Sequence, residues 1–267
     1  MGRTTFLAAG TALLAATLTL TACGGGDGGK SDGAAPKSTL DAATSSATPS
    51  GADNSAKPPA ELVTAALDNF KNAKSVHVKA NFKGEGQAMS LDFHLGADQS
   101  DGTMQGGFGN GPATVKLRTV DGKFYMGADS AFWQGMLGDK TFASMLDGKW
   151  VLFPASQAKQ FKTFLGVRQF DRDVFAQPRK DLTASSGLKT SRADVGGVPA
   201  IGVTGPDGKM TVFTAANGTP RLLRLSSTAA IGEMPEGTFD FTEYDAPLQI
   251  QAPADAIDTN KIKKART

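Results

Sequence analysis

Apolar and polar residues alternate along two consecutive runs that meet at residues 85–86. A two-residue turn centred there places Val78 opposite Phe93 on neighbouring strands. It also places Phe82 opposite Met89, so that one face of the hairpin is apolar along its whole length. Because a shift of one residue would mix apolar and polar side chains on each face, the pattern predicts the register as well as the hairpin.

Before this hairpin, apolar residues recur at helical spacing, and a pair of prolines precedes them. This pattern predicts an amphipathic helix over residues 60–73. After the hairpin, Asp-Gly and Asn-Gly turn signals separate further runs that are typical of strands. The predicted strands are 103–108, 113–120, 123–126, 188–193, 199–204, 209–214, 221–227 and 238–244, with a short strand at 150–153 as an addition.

Residues 130–178 differ from the strands around them, because they are rich in Phe and Met and include helical spacing at Phe161 and Phe164. Strands therefore come first, a helical insert follows, and strands return. This order predicts an α+β fold, in which helices pack across one face of a curved antiparallel sheet.

The N-terminal residues show a targeting pattern. Arg3 precedes an apolar run over residues 4–20, which has the length of a secretory h-region and is marginal for a membrane span. The residues that follow, Leu20-Thr21-Ala22-Cys23, resemble a bacterial lipobox. The resemblance implies cleavage before Cys23 and a diacylglyceryl anchor on its thiol. An ordinary signal peptide with an incidental cysteine, or a single membrane anchor, is the alternative.

Residues 24–59 consist mainly of Gly, Ala, Ser, Thr, Pro, Asp and Lys. Such a segment has too few apolar side chains to offset its ordering entropy, which predicts a disordered tether. The expected organisation is a lipoprotein signal peptide at 1–22, a lipidated cysteine with its tether at 23–59, and a folded domain at 60–267. Residues 24–31 match a P-loop pattern, but no strand precedes them and no helix start follows, so we expect no phosphate site.

Composition excludes several functional classes. The chain has 267 residues with 28 Lys and Arg against 26 Asp and Glu, so it lacks the cationic surplus of a nucleic-acid binder. Its single cysteine excludes a disulfide framework and a multi-cysteine metal site. No Gly-x-Ser-x-Gly turn or paired carboxylates indicate an activated nucleophile. We therefore expect no enzymatic activity, no catalytic residue and no cofactor.

The predicted hairpin register places His77 directly opposite His94, with Asp92 nearby. A paired-histidine metal site is one interpretation. Two imidazoles without a third ligand fixed by spacing are a weak metal signal, however. A solvated outer face without a metal is the expected interpretation.

Taken in order along the chain, the motifs resemble the actinobacterial LppX/LprG lipoproteins, relatives of the LolA-type lipid carriers. The resemblance is carried by the lipobox at Cys23, the polar tether, the helix 62–74 that leads into 75–78, the run 120–125, Trp133, Trp150, and 239–244 before 252–254.

This resemblance implies a strongly curved antiparallel β half-barrel with helices packed over its concave face. Between the sheet and the helices, it implies an apolar cavity that holds a lipid or glycolipid. It also implies a protein anchored to the outer face of the bacterial cytoplasmic membrane. The expected partners are that membrane and the lipid ligand, with no nucleic acid and an unknown protein partner. The candidate cavity-lining residues are Val78, Phe82, Leu91, Phe93, Phe124, Phe132, Trp133, Met136, Phe161 and Phe164. A filled core in an envelope lipoprotein that binds a protein partner is the alternative function.

Overall fold

The computed structural model describes residues 51–84, 86–108, 111–154, 163–164, 166–183, 186–231 and 234–258. All of them lie in one compact unit that extends from Ala47 to Thr267. The predicted signal peptide, Cys23 and Phe161 lie outside the described residues. Within the described ranges, no helix has both the length and the apolar character required to cross a membrane.

The first hairpin is formed by β1 (Ser75–Gly84) and β2 (Gln87–Gly96). Val78 pairs with Phe93 and Phe82 pairs with Met89, which confirms the register predicted from the alternation. Burying the apolar face fixes this register, because a slip of one residue would turn the same side chains to the outside.

The hairpin lies in the middle of a twelve-stranded sheet with the order β12-β6-β5-β4-β3-β2-β1-β11-β10-β9-β8-β7. Two meanders meet where β1 pairs antiparallel with β11, and β12 pairs parallel with β6. The other strands are β3 Ser100–Gly107, β4 Pro112–Val120, β5 Lys123–Gly127, β6 Trp150–Phe153, β7 Lys189–Val195, β8 Val198–Thr204, β9 Met210–Ala215, β10 Leu222–Ser227, β11 Gly237–Thr242 and β12 Ile257–Asp258.

The described residues contain five helices, which pack over the sheet and complete an α+β fold with a curved, open sheet. They are α1 Pro59–Lys71, α2 Ser130–Leu137, α3 Lys140–Met145, α4 Val167–Val174 and α5 Ala176–Thr183. The short helices α2 and α3 are N-capped by Asp129 and Asp139, whose carboxylates accept a hydrogen bond from the backbone N–H three residues later. Gly138 ends α2 with a φ of 71°.

A cluster of four phenylalanines joins the helices to the sheet. Phe70 of α1, Phe170 of α4, Phe175 and Phe241 of β11 are fully buried. Their ring centroids are 4.8–6.3 Å apart, in tilted and edge-to-face arrangements. Aromatic pairs of this kind stabilise a core beyond the area they bury, so this cluster strengthens the contact between the helices and the sheet.

The folded part begins before residue 60, where the predicted tether ends. The Asn54 side chain is fully buried and donates hydrogen bonds to the carbonyls of Ala215 and Gly218. Its backbone N–H donates to the carbonyl of Ala216. Backbone carbonyls at the turn between β9 and β10 therefore bind the polar segment around Asn54, which has almost no apolar side chain of its own.

The final long strand is shorter than the predicted 238–244. It ends at Thr242 because Glu243 adopts a φ of 51°, which breaks the alternation of side chains. Tyr244 then turns inward and donates a hydrogen bond from its hydroxyl to the Leu222 carbonyl at 2.6 Å. The short strand β12 was not predicted, since two residues give no periodic pattern.

Candidate functional site

A cavity of about 430 Å³ lies where the turn end of the β1–β2 hairpin faces α4. Its walls are mainly apolar, and its volume falls within the roughly 300–1,000 Å³ of small-molecule sites. We call it the hairpin cavity. It is lined by Phe82, Lys83, Gly84, Leu91, Thr163, Phe164, Phe170, Asp173, Val174, Ala230, Met234, Pro235 and Phe239.

The strands and helices around the hairpin cavity determine which side chains form its walls. The pleat of β1 and β2 turns Phe82 and Leu91 toward the helices. Phe239 of β11 stacks on Phe82 with ring centroids 5.8 Å apart. On the helical side, Phe164 stacks on Phe93 at 4.9 Å, while Phe170 belongs to both the cavity wall and the phenylalanine cluster.

The polar groups of the hairpin cavity are few and already bonded. Asp173 accepts hydrogen bonds from Thr163 at 2.8 Å and from Gln169 at 3.0 Å. Lys83 forms an ion pair with Glu236 at 2.7 Å, and both side chains are exposed. The cavity therefore combines an apolar interior with charged groups that reach water.

A second hollow of about 440 Å³ adjoins the same end of the hairpin. Gly84 and Met89 form its hairpin side, and Phe132 and Met136 of α2 form its helical side. Phe132 packs edge-to-face on Phe108 at 5.6 Å, whereas Met136 is 40% exposed. This hollow thus opens toward the surface beside α2.

The structure distributes the candidate lining residues over three environments. Phe82, Leu91 and Phe164 line the hairpin cavity, and Phe132 and Met136 line the second hollow. The remaining described candidates lie in the packed core; they are Val78, Phe93, Phe124 and Trp133.

Six apolar side chains of the cavity wall were not among the candidates: Phe170, Val174, Ala230, Met234, Pro235 and Phe239. Phe239 had a usable signal, because the alternation of β11 puts it on the same face as Phe241. Met234 follows a loop without periodicity, so no sequence signal was available for it.

The outer face of the same hairpin carries a cluster of polar side chains around its two histidines. His77 and His94 pair across the strands, and their rings stack with centroids 4.0 Å apart. The expectation of a solvated face is wrong for His77, which is only 7% exposed. Its Nε2 lies 2.6 Å from Asp92 Oδ1, and its Nδ1 lies 3.4 Å from Glu243 Oε1.

Asp92 is ionised in this cluster. Partial burial acts to raise the pKa of Asp92, but hydrogen bonds from His77 and Lys79 outweigh it and hold that pKa below its usual value. The Lys79 ammonium lies 3.2 Å from Asp92 Oδ2. The carboxylate therefore faces the imidazole as an anion.

No protein-family model and no curated protein matches this chain. Among solved structures, the crystal structure of LprF from Mycobacterium bovis is similar to it at 14% sequence identity. The similarity covers 73% of this chain and 97% of that chain, with a TM-score of 0.49. It does not show that the two proteins belong to one family.

Proposed function

We propose that this protein binds the acyl part of a lipid or glycolipid in the hairpin cavity and serves as a lipid carrier or holder. The observation that carries the proposal is the apolar lining of this 430 Å³ space, with phenylalanines on three of its walls. Transfer of acyl chains from water into such a space is favourable in proportion to the apolar area that they bury.

The charged groups at the hairpin cavity suit an amphipathic ligand. Lys83 and Glu236 pair at the exposed end of β1, next to Phe82. An anionic headgroup would compete with Glu236 for the Lys83 ammonium, while the acyl chains remain between the aromatic rings. The proposal therefore predicts an orientation, with the headgroup beside Lys83.

A pair of valine substitutions tests the binding site. Val174 lines the hairpin cavity, whereas Val198 lies at the turn between β7 and β8 and is 37% exposed. Val174→Trp should fill the space and reduce binding of a long-chain fluorescent fatty acid at least tenfold, while Val198→Trp should leave binding unchanged. Equal binding by both variants and the unchanged chain would refute the hairpin cavity as the site.

A protein-interaction role for an envelope lipoprotein is the second candidate function. It is favoured by three exposed apolar side chains on α2 and α3: Met136, Leu137 and Met145. The absence of fatty-acid binding in the unchanged chain would shift the interpretation to this role.

We also propose the organisation that the sequence predicts: a signal peptide over 1–22, a diacylglyceryl anchor on Cys23 and an extracytoplasmic location on the cytoplasmic membrane. The lipobox-like residues before Cys23 and the family resemblance support this proposal. We further propose that the protein is a member of the LppX/LprG-type lipoproteins, and the order of the motifs along the chain supports that membership. Two acyl chains suffice for stable anchoring, while one chain is marginal.

The anchor has a direct test. Cys23→Ser should move the protein from the membrane fraction to the soluble fraction, as judged by fractionation of the producing cells. A phase-partitioning assay with a nonionic detergent should show the same change. Unchanged membrane retention of Cys23→Ser would contradict anchoring through this thiol.

A further inference from the structure

The histidine cluster on the outer face of the hairpin has the composition of a metal site. The chain contains two histidines, and the β1–β2 register brings both of them together. One ligand atom from each of His77, His94 and Asp92 can be chosen so that all three lie within 4.8 Å of one another. Imidazole nitrogen with carboxylate oxygen is a ligand set that suits zinc and related divalent ions.

Glu243 adds a second carboxylate, and its distances are informative. Its two oxygens lie 3.4 Å from His77 Nδ1 and 3.4 Å from His94 Nε2. This separation exceeds the roughly 2.7–3.2 Å of a hydrogen bond between nitrogen and oxygen. In a tetrahedral site with bonds of roughly 2.0–2.1 Å, neighbouring ligand atoms are about 3.3–3.4 Å apart. Each Glu243 oxygen thus lies at the distance from one imidazole nitrogen that two ligand atoms of a shared ion would have.

Asp92 acts on the orientation of the His77 ring. His77 Nε2 is hydrogen-bonded to Asp92 Oδ1 at 2.6 Å, which places the other ring nitrogen, Nδ1, on the side of Glu243. Histidines that bind metals commonly donate their other N–H to a carboxylate in this way.

The backbone places Glu243 over the histidines at a cost in strain. Continued alternation of β11 would turn Glu243 toward the core, on the side of Phe241. Its φ of 51° turns it outward instead. Asp245 secures the strained segment, because its backbone N–H donates to the Ser75 carbonyl and its carboxylate accepts from the Lys74 N–H. Strain of this kind persists where the surrounding structure enforces it, often at functional positions.

Charge and access also favour a cation. Asp92 and Glu243 contribute two negative charges, and Lys79 offsets one of them. Asp101, which lines the adjoining hollow, is paired with Arg118 at 2.6 Å. This hollow of about 260 Å³ reaches both imidazoles and gives an ion a path from solvent.

We propose that His77, His94 and Glu243 bind a divalent transition-metal ion of the zinc class, with Asp92 holding the His77 ring. The site lies on the face of the hairpin opposite the hairpin cavity, so the inference does not depend on lipid binding. Metal binding there would join the end of β11 to the β1–β2 hairpin.

The test is calorimetric titration of Zn²⁺ into the full chain, produced without a histidine tag and with Cys23→Ser to remove the thiol. We expect saturation at one ion per chain. His94→Gln should weaken binding more than tenfold, and because the His94 side chain is 41% exposed the variant should still fold. Glu243→Gln should weaken binding roughly tenfold. The control Glu236→Gln, which alters a carboxylate paired with Lys83, should leave binding unchanged.

Histidine ring resonances provide an independent readout, because the chain has two histidines and both belong to the site. Zn²⁺ should shift both sets of ring signals in the Cys23→Ser chain. The proposal is overturned if no saturable binding occurs, if His94→Gln binds Zn²⁺ as tightly as its parent, or if the ring signals stay in place at saturating Zn²⁺.

Discussion

Both ends of the β1–β2 hairpin present an apolar face to the helices. The side chains that cover this face differ between the two ends. At the level of Val78, which pairs with both Phe93 and Phe241, the four-phenylalanine cluster fills the space above the sheet. At the level of Phe82 and Met89, hollows remain. Two residues along β11 separate Phe241 from Phe239, about 7 Å at the usual rise of a strand.

This comparison separates two roles of an apolar strand face. Alternation decides which side chains point inward, but the partner elements decide whether the space above them is filled. Phe170 marks the boundary, because its ring packs in the phenylalanine cluster and the residue also lines the hairpin cavity. The packed end stabilises the fold, whereas the open end keeps two hollows between the sheet and the helices.

The largest expected effect is a loss of stability at the packed end. Phe70→Ala removes a fully buried ring that contacts three other phenylalanines, and it should lower the free energy of unfolding by about 3–5 kcal/mol. Phe82→Ala, at the open end, should cost less than half as much because Phe82 is only partly buried. Denaturant unfolding of both variants measures the difference, and equal losses would contradict the distinction between the two ends.

A smaller effect is expected where β3 approaches the hairpin. A Cβ at Gly102 would lie 2.3 Å from the Asp92 carbonyl oxygen and 2.5 Å from Phe93 Cγ. Gly102→Ala should therefore destabilise the protein by about 1–3 kcal/mol and displace the ring that stacks on Phe164. The matched control is Gly127→Ala, since a Cβ there meets its nearest atom at 3.5 Å. Similar melting temperatures for the two variants would rule out the crowding at Gly102.

Tyr244 packs beside Phe70 at the packed end and makes the stability of the fold depend on pH. Burial, with a contribution from Asp245, raises the pKa of its phenol above the usual value despite the opposing effect of Arg221. The native state thus keeps the proton that the unfolded state loses near pH 10. Stability from this group is complete below about pH 9 and declines as the pH rises beyond about 10.

Tyr244→Phe isolates this contribution. The variant should lose about 1 kcal/mol at neutral pH, because the Leu222 carbonyl loses its donor. Its stability should also fall less steeply than that of the unchanged chain between about pH 9 and pH 11. Urea unfolding at several pH values tests both statements, and parallel curves for the two proteins would disprove the role of the buried phenol.

A substitution at the open end should change stability as little as Tyr244→Phe does. Phe164→Ala truncates a partly buried ring of the hairpin cavity and should cost about 1 kcal/mol while reducing fatty-acid binding severalfold. Phe142→Ala on α3 truncates another partly buried ring and serves as the control. If Phe142→Ala reduced binding as much as Phe164→Ala, the site would not be local to the hairpin cavity.

Much of the fold could be predicted from the sequence, because strand patterns with a single buried face carry their own register. The Val78–Phe93 and Phe82–Met89 pairs are examples. The hairpin cavity could not be separated from a filled core in this way, since phenylalanines such as Phe93 and Phe164 have the same apolar signal in either environment.

The histidine cluster shows a different limit. The alternation of apolar and polar residues predicted that His77 and His94 pair across the hairpin. It did not predict that Glu243 lies beside them, because the last strand was expected to continue to Tyr244. A single left-handed residue redirected that side chain, and no periodic pattern indicates such a change. The buried Asn54 was missed for a related reason: its partners are backbone carbonyls, which leave no trace in a hydrophobic pattern.

Native mass spectrometry of the full chain tests most directly whether the open end of the hairpin holds a lipid, as we propose. After incubation with phospholipid vesicles, we predict one non-covalent lipid per chain, which collisional activation removes and Val174→Trp abolishes. A covalent anchor on Cys23 would survive the same activation, so the two kinds of lipid are distinguishable. A spectrum with no dissociable lipid under these conditions would contradict the proposed function.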